Sequence, residues 1–440
     1  MSPVVFPSPH SAPEPDAASD TELRAAIASL KSTYGTLGTD TDAVPVVKTT
    51  VGQVRVLTPE SSGGQRARTR PYIRNRAKLA RAATAFATKA APMVTCIGNS
   101  ITWGVGSDGS GGTTAGVCEP YRQYAWPVQL RKALARMQNF LPSDDFIHPG
   151  FWYGITTNRL GSASYQEQAC AFPTGAAGGL NLPDATASFD FDATKMGKFT
   201  QVDVYHFGSA FTGSAYSPRI LVDGVQKSAG GVLSALSINV VSITGLSDAT
   251  HTITVQGTAS GGSLIPGVII RRSATGTIVN RVALPGTKAS DVLGGAAYVA
   301  TQKSRVIDAA LLYGYSDLVI LSMTANEVLQ QQPLATYQDA VQQLITRAVA
   351  GGACVLLLAD PPVINGEGYA IKESQYRAVL AALSDANDHV AYASFADLFG
   401  DAAAATAMGL SNGTSLHPML EGHRRMADWL LQEALPHPAV

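Results

Sequence analysis

Ser100 is the residue whose type and position most directly predict chemistry. It follows Gly98-Asn99 at the end of an apolar run with β-branched residues, Met93 to Ile97, which is typical of a buried strand. A sharp turn after such a strand places a serine at the carboxyl edge of a sheet, where open α/β folds hold their sites. The hydroxyl could act there as a nucleophile, but an ordinary turn or N-cap serine fits these residues equally well.

Four short motifs along the chain favour the nucleophile. The segment Gly98 to Thr102 resembles the first block of the SGNH (GDSL-type) hydrolases, normally Gly-Asp-Ser-Leu/Ile, with Asn99 in the usual place of Asp. Gly286 is similar in position to the second-block Gly of the family, and Asn326 to the third-block Asn. The segment Ser415 to Pro418 resembles the fifth block, in which His-Pro precedes a helix. The spacing differs from the Gly-x-Ser-x-Gly elbow of the α/β-hydrolases.

This resemblance assigns the roles that hydrolysis through an acyl-enzyme requires: a nucleophile, a base, oxyanion donors and a group that orients the base. It implies that Ser100 attacks and that His417 takes its proton. The oxyanion hole would consist of the backbone N–H groups of Ser100 and Gly286 and the side-chain amide of Asn326. His423 is a nearby competitor for the base, but it lies inside the predicted last helix.

The group that orients the base is where the sequence departs from the family. The usual Asp three residues before the histidine is Thr414 here. We expect a Ser–His dyad, in which a backbone carbonyl or the hydroxyl of Thr414 or Ser415 orients His417. Two other interpretations stay open at this point: Asp397 or Asp401 reaches in from elsewhere, or the enzyme is weak or has been retired to a binding role.

Strand-like and helix-like stretches alternate on both sides of a middle segment of different character. The alternation predicts an α/β fold with a parallel sheet, and the resemblance implies the three-layer α/β/α arrangement of SGNH hydrolases. We expect the hydrolase domain to span residues 91–163 and 276–440. Residues 164–275, with short strand-like runs and turn signals, predict an inserted antiparallel β-sandwich that resembles a jelly-roll carbohydrate-binding domain.

Residues 1–90 differ again in composition. A Pro-rich arm leads into a basic segment between Arg66 and Lys89 that has almost no acidic residues. We interpret residues 1–90 as an attachment region that joins the chain to the other proteins of a larger assembly. Within it, the basic segment is better explained as a solvated helix face than as a docking surface for an acidic partner.

Overall composition excludes several classes of function. The 440 residues carry a formal net charge of −1, which favours neither nucleic acid nor a membrane surface as partner. No apolar run approaches the roughly 20 residues of a membrane span, and the N-terminus lacks the pattern of a Sec signal. Four widely spaced cysteines give no metal motif, so we expect no cofactor and no metal. Cys96 and Cys354 are predicted to be buried thiols, whereas Cys118 and Cys170 could form a disulfide.

Taken together, these features predict an SGNH-type carboxylic ester hydrolase. The resemblance implies an acylated polysaccharide or cell-envelope glycan as substrate, most simply an O-acetyl ester. SGNH hydrolases with such insertions occur among bacteriophage tail proteins, so we expect extracellular action, with the virion tail as its setting. The alternatives are a secreted bacterial carbohydrate esterase and a non-catalytic glycan-binding adhesin, the latter prompted by the substitutions at Asn99, Thr324 and Thr414.

Overall fold

The structure is a computed structural model. It describes residues 48–50, 53–55, 73–107, 124–138, 146–147, 156–160, 164–166, 179–191, 197–208, 216–232, 238–258, 263–283, 285–293, 316–411 and 417–435. The chain divides into two units, Met1–Arg68 and Thr69–Val440. In the first unit, the described residues form one antiparallel pair of short strands.

The described part of the chain forms helices and strands, with a long run of strands in its middle. In chain order they are β1 (Lys48–Thr50), β2 (Gln53–Arg55), α1 (Ala80–Thr88), β3 (Met93–Gly98), α2 (Ser100–Trp103), α3 (Trp126–Met137), β4 (Phe146–Ile147), β5 (Thr156–Leu160), β6 (Ser164–Gln166), β7 (Gly179–Leu182), β8 (Ser188–Phe191), β9 (Lys198–Phe199), β10 (Gln201–Gly208), β11 (Tyr216–Ser217), β12 (Arg219–Val222), β13 (Val225–Ser228), β14 (Gly231–Val232), β15 (Ile238–Ile243), β16 (Ala249–Thr250), β17 (Ile253–Gln256), β18 (Ser263–Arg271), β19 (Ile278–Ala283), α4 (Ala289–Val292), β20 (Leu318–Ser322), α5 (Ala325–Leu329), α6 (Leu334–Ala350), β21 (Cys354–Ala359), α7 (Glu373–Ala386), β22 (Val390–Ser394), α8 (Phe395–Phe399), α9 (Ala402–Ala407) and α10 (Leu420–Trp429). Short 3₁₀ helices cover Arg76–Leu79 and Gly366–Gly368, and a π-helical turn covers Leu430–Ala434.

A five-stranded parallel sheet lies at the centre of the second unit. Its strand order is β19-β3-β20-β21-β22. Strands β3, β19, β20 and β21 are buried along their whole length, which explains why all but β19, with Asn280 and Arg281, are mainly apolar. Gly98 pairs with Ala283 on one side and with Ser322 on the other, so three neighbouring strands end side by side. The turns that follow these strands therefore meet at one edge of the sheet.

The segment between β3 and β19 forms two larger antiparallel sheets and two two-stranded ones, β11-β14 and β16-β9, among the described residues. One larger sheet has the order β15-β10-β18-β7-β6, with β4 also paired to β18, and the other has the order β13-β12-β17-β8-β5. Strands β4 and β5 precede residue 164, so antiparallel pairing begins earlier than the expected insertion. The sequence did not indicate this because β4 has only two residues and β5, Thr-Thr-Asn-Arg-Leu, lacks an apolar alternation.

Residues 73–90 pack on the parallel sheet, although the sequence placed them in the attachment region. Arg74 exchanges two backbone hydrogen bonds with Tyr392 of β22, at 2.8 and 3.0 Å. The Lys78 ammonium donates to the carbonyl oxygens of Ser384, Asp385 and Asn387 at the end of α7. This half of the basic segment is therefore an integral part of the sheet domain, while Arg66 to Arg70 lie outside the described residues.

The two cysteines of the parallel sheet, Cys96 and Cys354, are buried and not disulfide-bonded. Cys118 and Cys170 lie outside the described residues. Among the helices that the structure describes, none is both long and apolar enough to cross a membrane.

Candidate active site

Ser100 is the first residue of α2 and is separated from the carboxyl end of β3 by Asn99 alone. Asn99 forms the N-cap: its side-chain oxygen accepts a hydrogen bond from the backbone N–H of Ile101 at 2.9 Å. Gly98 is required here because a Cβ at this position would lie 2.0 Å from Oγ1 of Thr102. The strand end and the capped turn thus fix the serine, which is only 5% exposed, at the sheet edge.

The structure brings Ser100 and His417 together across 317 residues of sequence. Nε2 of His417 lies 2.8 Å from Oγ of Ser100. This is the separation at which an imidazole can accept the proton of a serine hydroxyl. The distance matches the expectation for a nucleophile and its base.

The His417 segment is held by backbone contacts and by two glycines. Pro418 forms an isolated β-bridge with Ser411, which closes the loop that carries the histidine. A Cβ on Gly106 would lie 3.0 Å from Cβ of His417, and a Cβ on Gly422 would lie 2.8 Å from Cβ of Pro418. Both glycines therefore permit the close approach of α10 and of residues 98–107, here called the nucleophile turn, to the histidine segment.

Burial sets the protonation of both histidines in this region. It lowers the pKa of His417 from 6.5 to about 4, so the imidazole is neutral at neutral pH and can act as a base. His423 is completely buried, and burial lowers its pKa to about 3. Its Nδ1 accepts a hydrogen bond from the backbone N–H of Trp126 at the start of α3, so His423 has a structural contact of its own.

Gly286 and Asn326 lie in two turns that are joined to each other. Gly286 has φ +81°, a left-handed conformation that favours glycine. Nδ2 of Asn326 donates to the carbonyl oxygen of Thr287 at 2.9 Å, which uses one of its two hydrogens. Oε1 of Glu327 accepts from the backbone N–H of Ala289 at 2.8 Å. These bonds fix the Gly286 turn against the first turn of α5.

Asp360 is a buried residue of this edge that sequence reasoning missed. It follows β21 directly, and its carboxylate is 2% exposed. One of its oxygens accepts from Nδ2 of Asn99 at 2.8 Å and from the backbone N–H groups of Thr324 and Ala325 at 2.8 and 2.9 Å. The other accepts from Oγ of Ser322 at 2.5 Å. A polar residue directly after a buried strand was the available signal, the same one that identified Ser100.

Glu327 is the other buried carboxyl group of the site. It has no exposed surface, and burial raises its pKa to about 8, with Asp360 and Asp291 adding repulsion. The carboxyl group is therefore largely protonated at neutral pH. This places a neutral acid, rather than a second anion, directly after Asn326.

The residues expected to orient His417 fall in two classes. Thr414 and Ser415 lie outside the described residues. Asp401 is the N-cap of α9, where Oδ1 accepts from the backbone N–H of Ala404 at 2.7 Å, and Asp397 is exposed on α8. Among the described residues, no group of three or more His, Cys, Asp and Glu side chains is arranged to hold a metal ion.

A comparison with known families adds to this geometry. A model of the GDSL-like lipase/acylhydrolase family matches residues 242–425. The matched segment contains Gly286, Asn326 and His417 and begins after Ser100. The match confirms the predicted enzyme class, an SGNH-type carboxylic ester hydrolase. A search of curated proteins finds no significant match.

Solved structures show the fold. A peptidoglycan O-acetylesterase is 16% identical, with 81% of this chain and 93% of that chain covered and a TM-score of 0.53. A carbohydrate esterase family 2 enzyme with its carbohydrate-binding domain, from Corynascus thermopiles (Myceliophthora fergusii), is 11% identical over 62% and 98% of the two chains, with a TM-score of 0.28. A family two carbohydrate esterase from Cellvibrio japonicus is 10% identical over 63% and 93%, with a TM-score of 0.20. The first likeness confirms the predicted α/β class and SGNH fold.

Proposed function

Because the chain has the SGNH hydrolase fold and residues 242–425 match the acylhydrolase model, we propose that it hydrolyses acyl esters on polysaccharide at Ser100. The observation that carries this proposal is the 2.8 Å contact between Oγ of Ser100 and Nε2 of a half-buried, neutral His417. The fold likeness to a peptidoglycan O-acetylesterase supports an O-acetyl group on a cell-surface glycan as the ester.

The proposed reaction begins with proton transfer from the Ser100 hydroxyl to Nε2 of His417. The serine oxygen attacks the ester carbonyl, and the negative charge that develops on the carbonyl oxygen is stabilised by preorganised N–H donors. We assign this role to the backbone N–H groups of Ser100 and Gly286 and to the second hydrogen of the Asn326 amide. The imidazolium then gives its proton to the sugar oxygen as the bond between that oxygen and the carbonyl carbon breaks; the sugar departs with a free hydroxyl and leaves an acyl-Ser100 intermediate.

Water completes the cycle by the same route. Neutral His417 removes a proton from a water molecule, which attacks the acyl-serine carbonyl and releases acetate or another short acid. The imidazolium returns its proton to Oγ of Ser100. Thr414 and Ser415 are proposed to orient the imidazole, which would give a Ser–His dyad in place of a triad.

The remaining parts of the proposal concern the substrate and the setting. We assign glycan binding to the antiparallel sheets formed between β3 and β19, as a jelly-roll-like insertion, and attachment to the residues that precede the sheet domain. Action on the host envelope from a virion tail is the proposed setting, with secretion from a bacterium as the alternative. The division of the chain into two units, Met1–Arg68 and Thr69–Val440, supports this assignment.

Turnover of p-nitrophenyl acetate and of an acetylated glycan tests the proposal. Ser100→Ala and His417→Ala should each lower kcat by roughly 10³-fold or more, because nucleophile and base act as one unit. His389→Asn is the matched control: His389 lies at the amino end of β22 with φ +63°, a conformation that asparagine tolerates, so kcat should not change. A fluorophosphonate should label Ser100 in the wild-type chain and not in Ser100→Ala.

Two results would contradict the proposal. Full turnover by His417→Ala would show that His417 is not the base. Cleavage of lipid esters or thioesters, with no cleavage of any acetylated glycan, would show that the proposed substrate class is wrong. The competing function is a glycan-binding adhesin, favoured by the substitutions at Asn99, Thr324 and Thr414. It predicts glycan binding with neither turnover nor fluorophosphonate labelling.

A further inference from the structure

Asp360 contacts the turns after two neighbouring strands of the parallel sheet. Its carboxylate receives Nδ2 of Asn99 from the nucleophile turn, and the backbone N–H groups of Thr324 and Ala325 from the turn that precedes Asn326. Ser322, the last residue of β20, completes the set. Four hydrogen bonds thus converge on one buried carboxylate.

The Asn99 side chain forms hydrogen bonds through both its oxygen and its nitrogen. Its oxygen caps α2 by accepting from the N–H of Ile101, and its amide nitrogen donates to Asp360. Aspartate could provide the cap, but it has no hydrogen to donate at neutral pH. An aspartate at position 99 would also place a second carboxylate 2.8 Å from the oxygen of Asp360, where two like charges repel in a buried site.

We propose that Asp360 is a positioning residue that fixes the nucleophile turn relative to residues 323–326, the Asn326 turn. Asn99 is the partner that this carboxylate requires. The unusual asparagine at position 99 is then a match to Asp360 rather than a sign of lost activity. This inference rests on the proposed ester hydrolysis, because the distance that Asp360 sets is the one between the nucleophile and the oxyanion donors.

The oxygen that Asn99 contacts is the one that also binds Thr324 and Ala325. If Asn99 shifts away from Asp360, Thr324 and Ala325 stay bonded to Asp360. The nucleophile turn therefore moves relative to the Asn326 turn. Misplacement of a reacting group by about 1 Å can cost about a hundredfold in rate. The effect should fall on kcat rather than KM, because the contact positions the reacting groups and does not itself touch the substrate.

The test is a double-mutant cycle of Asn99→Asp and Asp360→Asn, measured with p-nitrophenyl acetate. Asn99→Asp should lower kcat about ten- to a hundredfold with KM nearly unchanged. In Asp360→Asn the amide can keep all four contacts, with its oxygen toward Asn99 and its NH₂ toward Ser322, so kcat should stay within a few-fold of the wild type. In the Asp360→Asn background the loss caused by Asn99→Asp should be several-fold smaller, because the facing charge is gone.

Asp317→Asn is the matched control at the opposite end of the sheet. Asp317 is also a buried carboxylate that bonds to a strand, through the N–H of Met93 at 2.9 Å. Its replacement should leave kcat unchanged, and Asn99→Asp should cost the same in the Asp317→Asn background as in the wild type. If Asn99→Asp does not fold, Asn99→Ser replaces it: serine can still cap Ile101 but is too short to reach Asp360, so kcat should fall.

Two outcomes would overturn the inference: a kcat of Asn99→Asp within twofold of the wild type, or an equal loss in both Asp360 backgrounds. Failure of the proposed function looks different, since the wild type itself would then show neither turnover nor labelling of Ser100. In that case the melting temperatures of the same variants are compared in place of kcat. A smaller decrease caused by Asn99→Asp in the Asp360→Asn background supports the contact, and an equal decrease refutes it.

Discussion

The two ends of the parallel sheet hold their polar groups in opposite ways. At the carboxyl end, Ser100, Asp360 and Glu327 are almost completely buried, and hydrogen bonds of Asp360 and Glu327 join neighbouring turns. At the amino end, the ammonium of Lys89 is half-exposed in its ion pair with Asp317, and the pair between Arg74 and Asp385 is exposed on both sides. Buried groups depend on the geometry of every partner, whereas exposed pairs contribute little and tolerate change.

The largest effect that distinguishes the two ends is the pH dependence of turnover. His417 accepts a proton only in its neutral form, and burial lowers its pKa from 6.5 to about 4. We expect kcat/KM for p-nitrophenyl acetate to stay level from neutral pH to about pH 4 and then to fall about tenfold per pH unit. An exposed imidazole would instead give an acid limb near 6.5.

The same shift has a consequence for stability, which serves as the control for this experiment. Between pH 6.5 and about 4 the unfolded chain binds a proton at His417 that the folded chain does not, so stability decreases as the pH falls. Near-UV circular dichroism across the range separates loss of fold from loss of the base. An acid limb near pH 6.5 in a folded sample would show that the imidazole of the active enzyme is not buried as described.

The sequence was sufficient to predict much of this carboxyl end. Ser100, Gly286, Asn326 and His417 were recognised from short motifs, because each follows or precedes an element with a strong apolar pattern. The 2.8 Å contact between Ser100 and His417 agrees with the roles predicted for them. Catalytic roles for these residues stay predictions until turnover is measured.

Other features could not be read from the sequence because they depend on pairing across space. Asp360 is an ordinary residue after a strand until the fold brings Asn99, Thr324 and Ala325 to it. The basic residues Arg74 and Lys78 look like a solvated face in sequence, but their partners are on α7 and β22, more than three hundred residues away. Short or polar strands such as β4 and β5 have no periodic signal of their own.

Glu327→Gln tests the carboxyl end of the sheet through its effect on stability, which should be smaller than the effect of pH on turnover. The folded-state pKa of Glu327 is raised to about 8 from 4.5, so the folded chain holds a proton that the unfolded chain releases between these values. Stability contributed by this group is therefore present at low pH and decreases as the pH rises from about 4.5 to 8. Glutamine can still accept from the N–H of Ala289 without this dependence.

We expect the melting temperature of Glu327→Gln to exceed that of the wild type by a few degrees at pH 8 and to match it near pH 4. Differential scanning calorimetry at several pH values measures both. Asp339→Asn, on the exposed face of α6, is the control and should show no such pH-dependent difference. A melting temperature for Glu327→Gln that lies below the wild type at every pH would mean that the carboxyl group itself is needed.

Lys78→Met tests the amino end, where the smallest effect is expected. Methionine keeps the aliphatic stem but loses the three hydrogen bonds, 2.8, 3.0 and 2.8 Å long, to the last carbonyl groups of α7. A cation at a helix C-terminus typically contributes about 0.3–1 kcal/mol, so urea titration should show a loss of at most about 1 kcal/mol. Turnover should be unchanged, because this contact lies at the opposite end of the sheet from Ser100.

Lys227→Met, on the exposed strand β13, controls for the general effect of removing a surface charge and should change stability by less than about 0.5 kcal/mol. A loss of kcat in Lys78→Met with the fold intact would contradict the division between the two ends, since it would show that the docking of residues 73–90 on α7 is transmitted to the nucleophile.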